Sequence, residues 1–387
     1  MGSRSAGGFV ARDRDREGPG PRRTATVALT LALLSPGAAA MPAAATTTVS
    51  PRAALSAPAA AVSAPAPAVS APAPACAVPD ARPTVWVFDQ RTDVPNRPAG
   101  NGCTINDRID DERAWRGKGA FTRHLASVVV RLRKDRVVGR AEARTLLAAG
   151  LRAHVSRTGY TALFDGTAES LSKWVQAPGG SFTLQPDGTI RSVGGLGMLW
   201  YASQEFGDFS LRLRFRDART DGGFSNSGIL TRFPDPRIPL EQRPPGGCGT
   251  IGAARTSPAW VAIYCGQEIQ IYDGPTGEPQ KTGSVYNFQP LGLEQAKVTP
   301  AGVWNDYEVR VQGQHYTIIR NGEVLTEFGN TPGKNSSRAG DPPTDLRQFA
   351  SGFIGLQNHG NSDLIEFRDV RVRDLAEDTG CSGRHRI

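Results

Sequence analysis

A row of polar side chains on one short stretch is the first candidate for chemistry in this sequence. In QEIQIYD, Ile269 and Ile271 alternate with Glu268, Gln270 and Tyr272. A period of two places the isoleucines on one face of a β-strand and the carboxylate, amide and phenol on the other. This polar row is either the solvated face of a half-buried strand or the floor of a sugar site.

A second stretch, GFIGLQNHG, repeats the arrangement near the C-terminus. Ile354 and Leu356 take the apolar face of the predicted strand, so Gln357 and His359 project from the other face. The two stretches therefore predict two strands that each carry polar side chains away from the core.

The elements that must position these side chains are short alternating strands. From Tyr160 onward such runs follow one another, separated by Gly, Pro, Asn and Asp turns, and WVAIYCGQEIQIYD reads as one of them. Asn321-Gly322 between two apolar runs is a strong hairpin signal. Many strands without intervening helices predict a mostly β protein with an antiparallel sandwich or jelly roll.

The N-terminal half has a different composition. Two runs with a period of three to four residues predict a small helical hairpin, with these apolar positions: Phe121, Leu125, Val128, Leu132, Ala143, Leu146, Leu147 and Leu151. The predicted organisation is a signal peptide (1–40), a disordered linker rich in Pro, Ala and Ser (41–82), a small helical region (83–157), a jelly-roll domain (158–376) and a tail (377–387). The helical region is expected to be dispensable for chemistry and is a candidate for docking to a protein or cell-wall partner.

Charge and hydropathy argue against nucleic-acid binding and against a transmembrane segment. The 387 residues carry a net charge of +8, but the arginines are spread out and no dense basic run with interleaved aromatics occurs, which argues against nucleic-acid binding. The apolar run TATVALTLALL is too short for a transmembrane segment, whereas basic residues before it and small residues after it are typical of an export signal. We expect a secreted or cell-surface protein.

Five cysteines fit an exported chain. Cys248 and Cys265 flank a loop rich in Gly and Pro, and we predict a disulfide between them. Cys76, Cys103 and Cys381 remain, and because their number is odd at least one is free or pairs between chains.

Several motifs in order resemble a known family. They are TALFDGTAESLSKW, LWYASQEFGDFSLRLRFR, NSGILTRFPDP, EIQIYDG, TGSVYNF, WNDYEVRVQGQHYTIIRNGEVL and GFIGLQNHGNSDLIEFRDVRV. Over residues 160–375 the chain resembles the 3-keto-disaccharide hydrolase family, whose members are also described as 3-keto-glucoside lyases and 3-keto-2-hydroxyglucal hydratases. The resemblance implies a concanavalin-like jelly roll and a small carbohydrate substrate.

The resemblance also implies a reaction. A ketone at C3 acidifies the hydrogen at C2, so a base can form an enolate that expels the C1 substituent, and water can add later. On this basis Glu268 is the expected base, His359 the acid or its partner, and Asp273 a further carboxylate. The expected substrate-binding residues are Asn226, Arg232, Gln270, Tyr272 and Gln357.

Two alternatives stay open at this point. Glu268, Asp273 and His359 could hold a divalent metal that polarises the ketone, although no compact ligand motif supports one. The domain could also be a non-catalytic carbohydrate-binding module that uses exposed aromatic side chains as stacking platforms. The aromatic candidates are Tyr201, Trp260, Tyr264, Tyr272 and Tyr286.

Overall fold

The computed structural model describes Cys76 and residues 78–376. The predicted signal peptide, most of the predicted linker and the tail with Cys381 lie outside these residues. Among the helices described, none combines the length and apolar character needed to cross a membrane.

Residues 78–156 form an N-terminal module that contains strands as well as helices. Its elements are β1 (Thr84–Val87), β2 (Gln90–Pro95), α1 (Ile105–Ile109), α2 (Lys118–Lys134) and α3 (Arg140–Arg152). The two predicted amphipathic helices are confirmed as α2 and α3, and the module also contains β1 and β2, which pair as an antiparallel hairpin. Leu147 and Leu151, assigned to the apolar face of α3, are exposed, while Leu146 is buried.

Thirteen strands and three short helices follow within the described residues. The strands are β3 (Thr161–Phe164), β4 (Trp174–Ala177), β5 (Gly180–Leu184), β6 (Ile190–Gly194), β7 (Gly197–Tyr201), β8 (Phe209–Asp217), β9 (Ser227–Phe233), β10 (Gln267–Ile271), β11 (Asn305–Gln312), β12 (His315–Arg320), β13 (Glu323–Gly329), β14 (Phe353–Asn358) and β15 (Ile365–Asp374). The helices are α4 (Ala168–Leu171), α5 (Pro258–Cys265) and α6 (Leu293–Ala296).

The strands form two antiparallel sheets packed face to face. One has the order β13-β12-β11-β8-β15-β6-β5, with β3 added beside β15, and the other has the order β10-β9-β14-β7-β4. The predicted jelly-roll sandwich is confirmed. The hairpin signal at Asn321-Gly322 is confirmed too: it joins β12 to β13, and both residues have the positive φ angles that such a turn requires.

Alternation along each strand builds the core between the sheets. On β8, Phe209, Leu211 and Leu213 enter the apolar cluster, while Arg212 points to the outer face. On β10, Ile269 and Ile271 lie in the same cluster. Since the alternation of β10 is as predicted, its polar row must lie on the outer face of the five-stranded sheet.

A helical insertion covers part of that outer face. The segment AWVAIYC was expected to be a strand, but it forms α5, with Pro258 in the first turn. The structure places α5 and its flanking turns against Leu230 and Trp200 in a second apolar cluster. The predicted disulfide between Cys248 and Cys265 is confirmed.

The N-terminal module lies on the outer face of the other sheet. Glu112 accepts hydrogen bonds from Arg212 at 2.6 Å and from Arg371 at 2.7 Å, and Arg373 donates to the carbonyl oxygen of Asp111. A second disulfide joins Cys76 to Cys103. The module therefore sits on the side of the sandwich opposite the polar row of β10.

Candidate active site

The register of three neighbouring strands brings the predicted polar side chains together. Gln270 on β10 pairs with Gly228 on β9, and Glu268 pairs with Leu230. From β14, the Nε2 of Gln357 donates to the Oε1 of Glu268 at 2.9 Å. The two stretches singled out in the sequence thus form one site on the outer face of the five-stranded sheet.

Glu268 is buried, so of the two alternatives for the polar row, the solvated face does not hold for this residue. Only 6% of the residue is exposed, because the sheet face beside it is covered by the insertion that contains α5. Burial raises the pKa of Glu268 to about 7, and the hydrogen bond from Gln357 partly opposes this change. A carboxyl group with this pKa can both accept and return a proton near neutral pH.

Gly228 provides space beside the carboxylate. A Cβ atom at this position would lie 3.0 Å from the Cγ of Glu268 and 3.2 Å from its Oε1. Side chains on adjacent strands rarely approach so closely, so a larger residue would displace Glu268. Glycine on β9 therefore keeps the area between Gln357 and Gln270 free of a side chain.

Several amide groups around Glu268 are buried without hydrogen-bond partners among the described residues. They are the Oδ1 of Asn226, the Oε1 and Nε2 of Gln270, and the Oε1 of Gln357. An unsatisfied buried polar group costs about 1–3 kcal/mol, and native proteins retain few of them. Their concentration beside one carboxylate is suited to a ligand that carries several hydroxyl or carbonyl groups.

His359 lies at the exposed edge of the site and is oriented by Asp363. Its Nδ1 is 2.9 Å from the Oδ2 of Asp363, whose Oδ1 accepts a hydrogen bond from the backbone N–H of Asn226. The bond to Asp363 raises the pKa of His359, and 47% of the His359 side chain is exposed. Asp363 was not singled out in the sequence, although the turn HGNSD places it four residues after the histidine.

A second carboxylate, Glu278, was also missed. Its Oε2 accepts a hydrogen bond from the hydroxyl of Tyr286 at 3.0 Å, and the backbone N–H of Tyr286 donates to the carbonyl oxygen of Glu268 at 2.9 Å. Burial raises the pKa of Tyr286. Glu278 lies in an irregular loop, so no periodic signal marked it in the sequence.

Two predicted site residues have other partners. Asp273 forms a two-pronged ion pair with Arg320, with contacts of 2.9 and 2.5 Å, and also accepts a hydrogen bond from Thr282. Arg232 donates to Asp208 at 2.8 Å and to the carbonyl oxygen of Gly207. Both side chains stabilise the sandwich, and neither contacts the Glu268 cluster.

Tyr272 lies at the border of the cluster. Its hydroxyl donates to the carbonyl oxygen of Thr276 at 2.5 Å, and the ammonium group of Lys281 lies 4.6 Å from the centre of its ring. Lys281 also donates to the carbonyl oxygens of Gly274 and Glu278. These contacts fix the loop that carries Glu278.

Glu268, Asp273 and His359, which were candidate metal ligands in the sequence, are not grouped around one point in the described structure. Among the described residues, one group of three side chains could hold a metal ion by distance: Cys76, Cys103 and Asp107. Their ligand atoms all lie within 4.8 Å of one another. The two cysteines are joined in a disulfide. Both carboxylate oxygens of Asp273 accept hydrogen bonds from Arg320. Glu268, Asp273 and His359 therefore do not form a metal-binding site.

Three solved structures are similar to this chain in the arrangement of their strands. A provisionally assigned glycosyl hydrolase from Parabacteroides distasonis ATCC 8503 is 24% identical, and the match covers 56% of this chain and all of that one with a TM-score of 0.42. The carbohydrate-binding module CBM66 from Bacillus subtilis is 11% identical, with 52% and 96% of the chains covered and a TM-score of 0.30. A β-glucanase from Bacillus licheniformis is 13% identical, with 52% and 91% covered and a TM-score of 0.30.

A match to a family model gives the family assignment. Among curated proteins, none matches this chain. The family model of the 3-keto-alpha-glucoside-1,2-lyase-like domain matches residues 159–373, which is more than half of the chain and includes both sheets. The chain therefore belongs to the 3-keto-alpha-glucoside-1,2-lyase-like family.

Proposed function

We propose that this protein cleaves 3-keto-glucosides by elimination, with Glu268 as the base that removes the proton from C2. The observation that carries the proposal is the buried Glu268 carboxyl, whose pKa is raised to about 7 among amide groups without protein partners. A base with a pKa near the working pH combines a useful ionised fraction with a strong driving force for proton transfer. The family assignment supplies the substrate class.

The reaction begins with proton transfer from C2 to Glu268. The electron pair of the broken C–H bond forms the enolate of the C3 ketone, and its return forms a C1=C2 double bond while the bond from C1 to the leaving oxygen breaks. His359, which Asp363 keeps protonated to higher pH, donates a proton to that oxygen. The products are a free alcohol or sugar and an unsaturated 3-keto sugar, to which water can add.

The remaining polar groups bind the sugar in this proposal. The amide of Gln270 is a donor for the developing enolate oxygen, and the carbonyl oxygens of Asn226 and Gln357 accept hydrogen bonds from hydroxyl groups. His359 is partly exposed at the edge of the site, whereas Glu268 is buried. In this proposal the sugar therefore enters past the side chain of His359.

The decisive variant is Glu268→Gln, which keeps the size of the side chain and removes the base. With 3-keto-trehalose as substrate, we expect turnover to fall by about 100-fold to 10,000-fold. Glu327→Gln is the matched control, because Glu327 is an exposed residue of β13. Retention of turnover in Glu268→Gln would exclude this base. Binding of 3-keto-trehalose by the wild type without any turnover would instead indicate a carbohydrate-binding module.

A further inference from the structure

A cavity lies on the side of the sandwich opposite Glu268, between the N-terminal module and the eight-stranded sheet. Its volume is about 420 Å³. Phe88, Asp89 and His154 line it from the module, where Asp89 is paired with His154, and Tyr160, Arg310 and Arg373 line it from the sandwich. We call it the arginine cavity. It shares no residue with the Glu268 site and plays no part in the proposed elimination.

The register of the sheet places two arginines side by side in this cavity. Ser210 on β8 pairs with Arg310 on β11 and with Arg373 on β15. The two guanidinium groups therefore project from the same face, one on each side of Ser210. Two positive charges on one face of a sheet repel each other unless negative charge offsets them.

One of these arginines is neutralised by the protein. Glu308 accepts hydrogen bonds from the Nη2 of Arg310 at 2.7 Å and from the Nε of Arg212 at 3.0 Å. Ser210 donates to the same carboxylate at 2.7 Å. Arg310 and Arg212 thus share the negative charge of Glu308, and among the described residues no hydrogen bond or ion pair joins Glu308 to Arg373.

Arg373 has no carboxylate partner among the described residues. Only 6% of it is exposed, its Nη2 donates to the carbonyl oxygen of Asp111, and its Nε is buried without a hydrogen-bond partner. Its guanidinium carbon lies 4.3 Å from the ring centre of Tyr160 and 5.3 Å from that of Phe88. A buried cation without a counter-ion is costly, so this position favours the binding of an anion.

We propose that the arginine cavity binds a small organic anion that carries a carboxylate or phosphate group. Arg373 pairs with the charged group, because planar guanidinium donors match the oxygens of carboxylate and phosphate. The rings of Phe88 and Tyr160 contact the carbon skeleton of the ligand. A bound anion bridges the module and the sandwich, since Phe88 belongs to one and Arg373 to the other.

Titration calorimetry on the full chain at low ionic strength tests this proposal, with glucuronate and inorganic phosphate as anionic probes and glucose as the neutral control. We expect glucuronate to bind, glucose not to bind, and Arg373→Gln to weaken the binding of glucuronate at least about tenfold. Arg255→Gln, at an exposed position outside the cavity, should bind glucuronate as the wild type does. Tighter binding of phosphate than of glucuronate assigns the site to phosphate groups, and tighter binding of glucuronate assigns it to carboxylates.

Arg310→Gln provides a second test in case Arg373→Gln does not fold, which thermal melting will show. We expect this variant to weaken glucuronate binding as well, because it removes the second guanidinium group beside Ser210. The proposal is overturned if neither anion binds the wild type. It is also overturned if the folded arginine variants bind glucuronate with unchanged affinity.

Discussion

Replacing Glu268 by glutamine should stabilise the fold at neutral and alkaline pH while it removes catalysis. The folded-state pKa of Glu268 is about 7, whereas the ordinary value is 4.5. A raised pKa means that the folded chain binds this proton more tightly than the unfolded chain does. The stabilising effect of the proton is complete below pH 4.5 and is lost as the pH rises through about 7.

The size of the effect follows from the difference between the two values. A difference of about 2.5 units, at 1.36 kcal/mol per unit, corresponds to about 3 kcal/mol. The free energy of unfolding of Glu268→Gln minus that of the wild type should therefore be about 3 kcal/mol larger at pH 8 than at pH 4.5. Glutamine preserves the hydrogen bond from Gln357, because its Oε1 can accept from the same Nε2.

Urea unfolding followed by tryptophan fluorescence measures this difference for wild type, Glu268→Gln and the control Glu327→Gln. All three proteins keep their disulfides, and the control reports the effect of losing one exposed negative charge. If the difference in the free energy of unfolding between Glu268→Gln and wild type is the same at pH 4.5 and at pH 8, Glu268 is not held in a desolvated environment. The argument for its role as a base near neutral pH would then fail.

Further expectations concern the reaction, the core and the covalent links. The rate constant for elimination should fall about tenfold per pH unit below pH 7, because protonation of Glu268 removes the base, and a pH–rate profile checks this. Ile269→Ala should lower the free energy of unfolding by about 2–5 kcal/mol in urea titrations, since the side chain lies in the inter-sheet core. Glu112→Gln should lower the free energy of unfolding by about 1–3 kcal/mol in the same assay, because it weakens the hydrogen bonds to Arg212 and Arg371. Turnover should be unchanged, because these arginines lie on the sheet face opposite the site. Joint replacement of Cys248 and Cys265 by serine should lower the free energy of unfolding by about 3 kcal/mol according to the chain-entropy model, and thermal melting measures this loss.

Local alternation was enough to predict the sandwich and the direction of the polar row. Ile269 and Leu356 face the core as expected, and Glu268 and Gln357 meet on the other face. Both inferences depend only on the period of two within each strand. The pairing of β10 and β14 with β9 then brings together residues that are 89 positions apart.

The burial of the site could not be predicted in the same way. The segment that forms α5 is apolar on every side, so it lacks the periodicity that distinguishes a buried helix from a buried strand. The roles of Asp273 and Arg232 depend on partners distant in sequence, Arg320 and Asp208, which no local pattern reveals. Glu278 depends in turn on the conformation of an irregular loop.

Exchange of the C2 hydrogen with solvent tests the central claim most directly. Wild type and Glu268→Gln are incubated with a 3-keto-glucoside in D₂O, and deuterium at C2 of the recovered substrate and of the hydrated product is followed by NMR. We expect deuterium at C2 with the wild type, and at least about a 100-fold slower exchange with Glu268→Gln. Exchange at an equal rate in the two proteins would show that Glu268 does not remove the C2 proton.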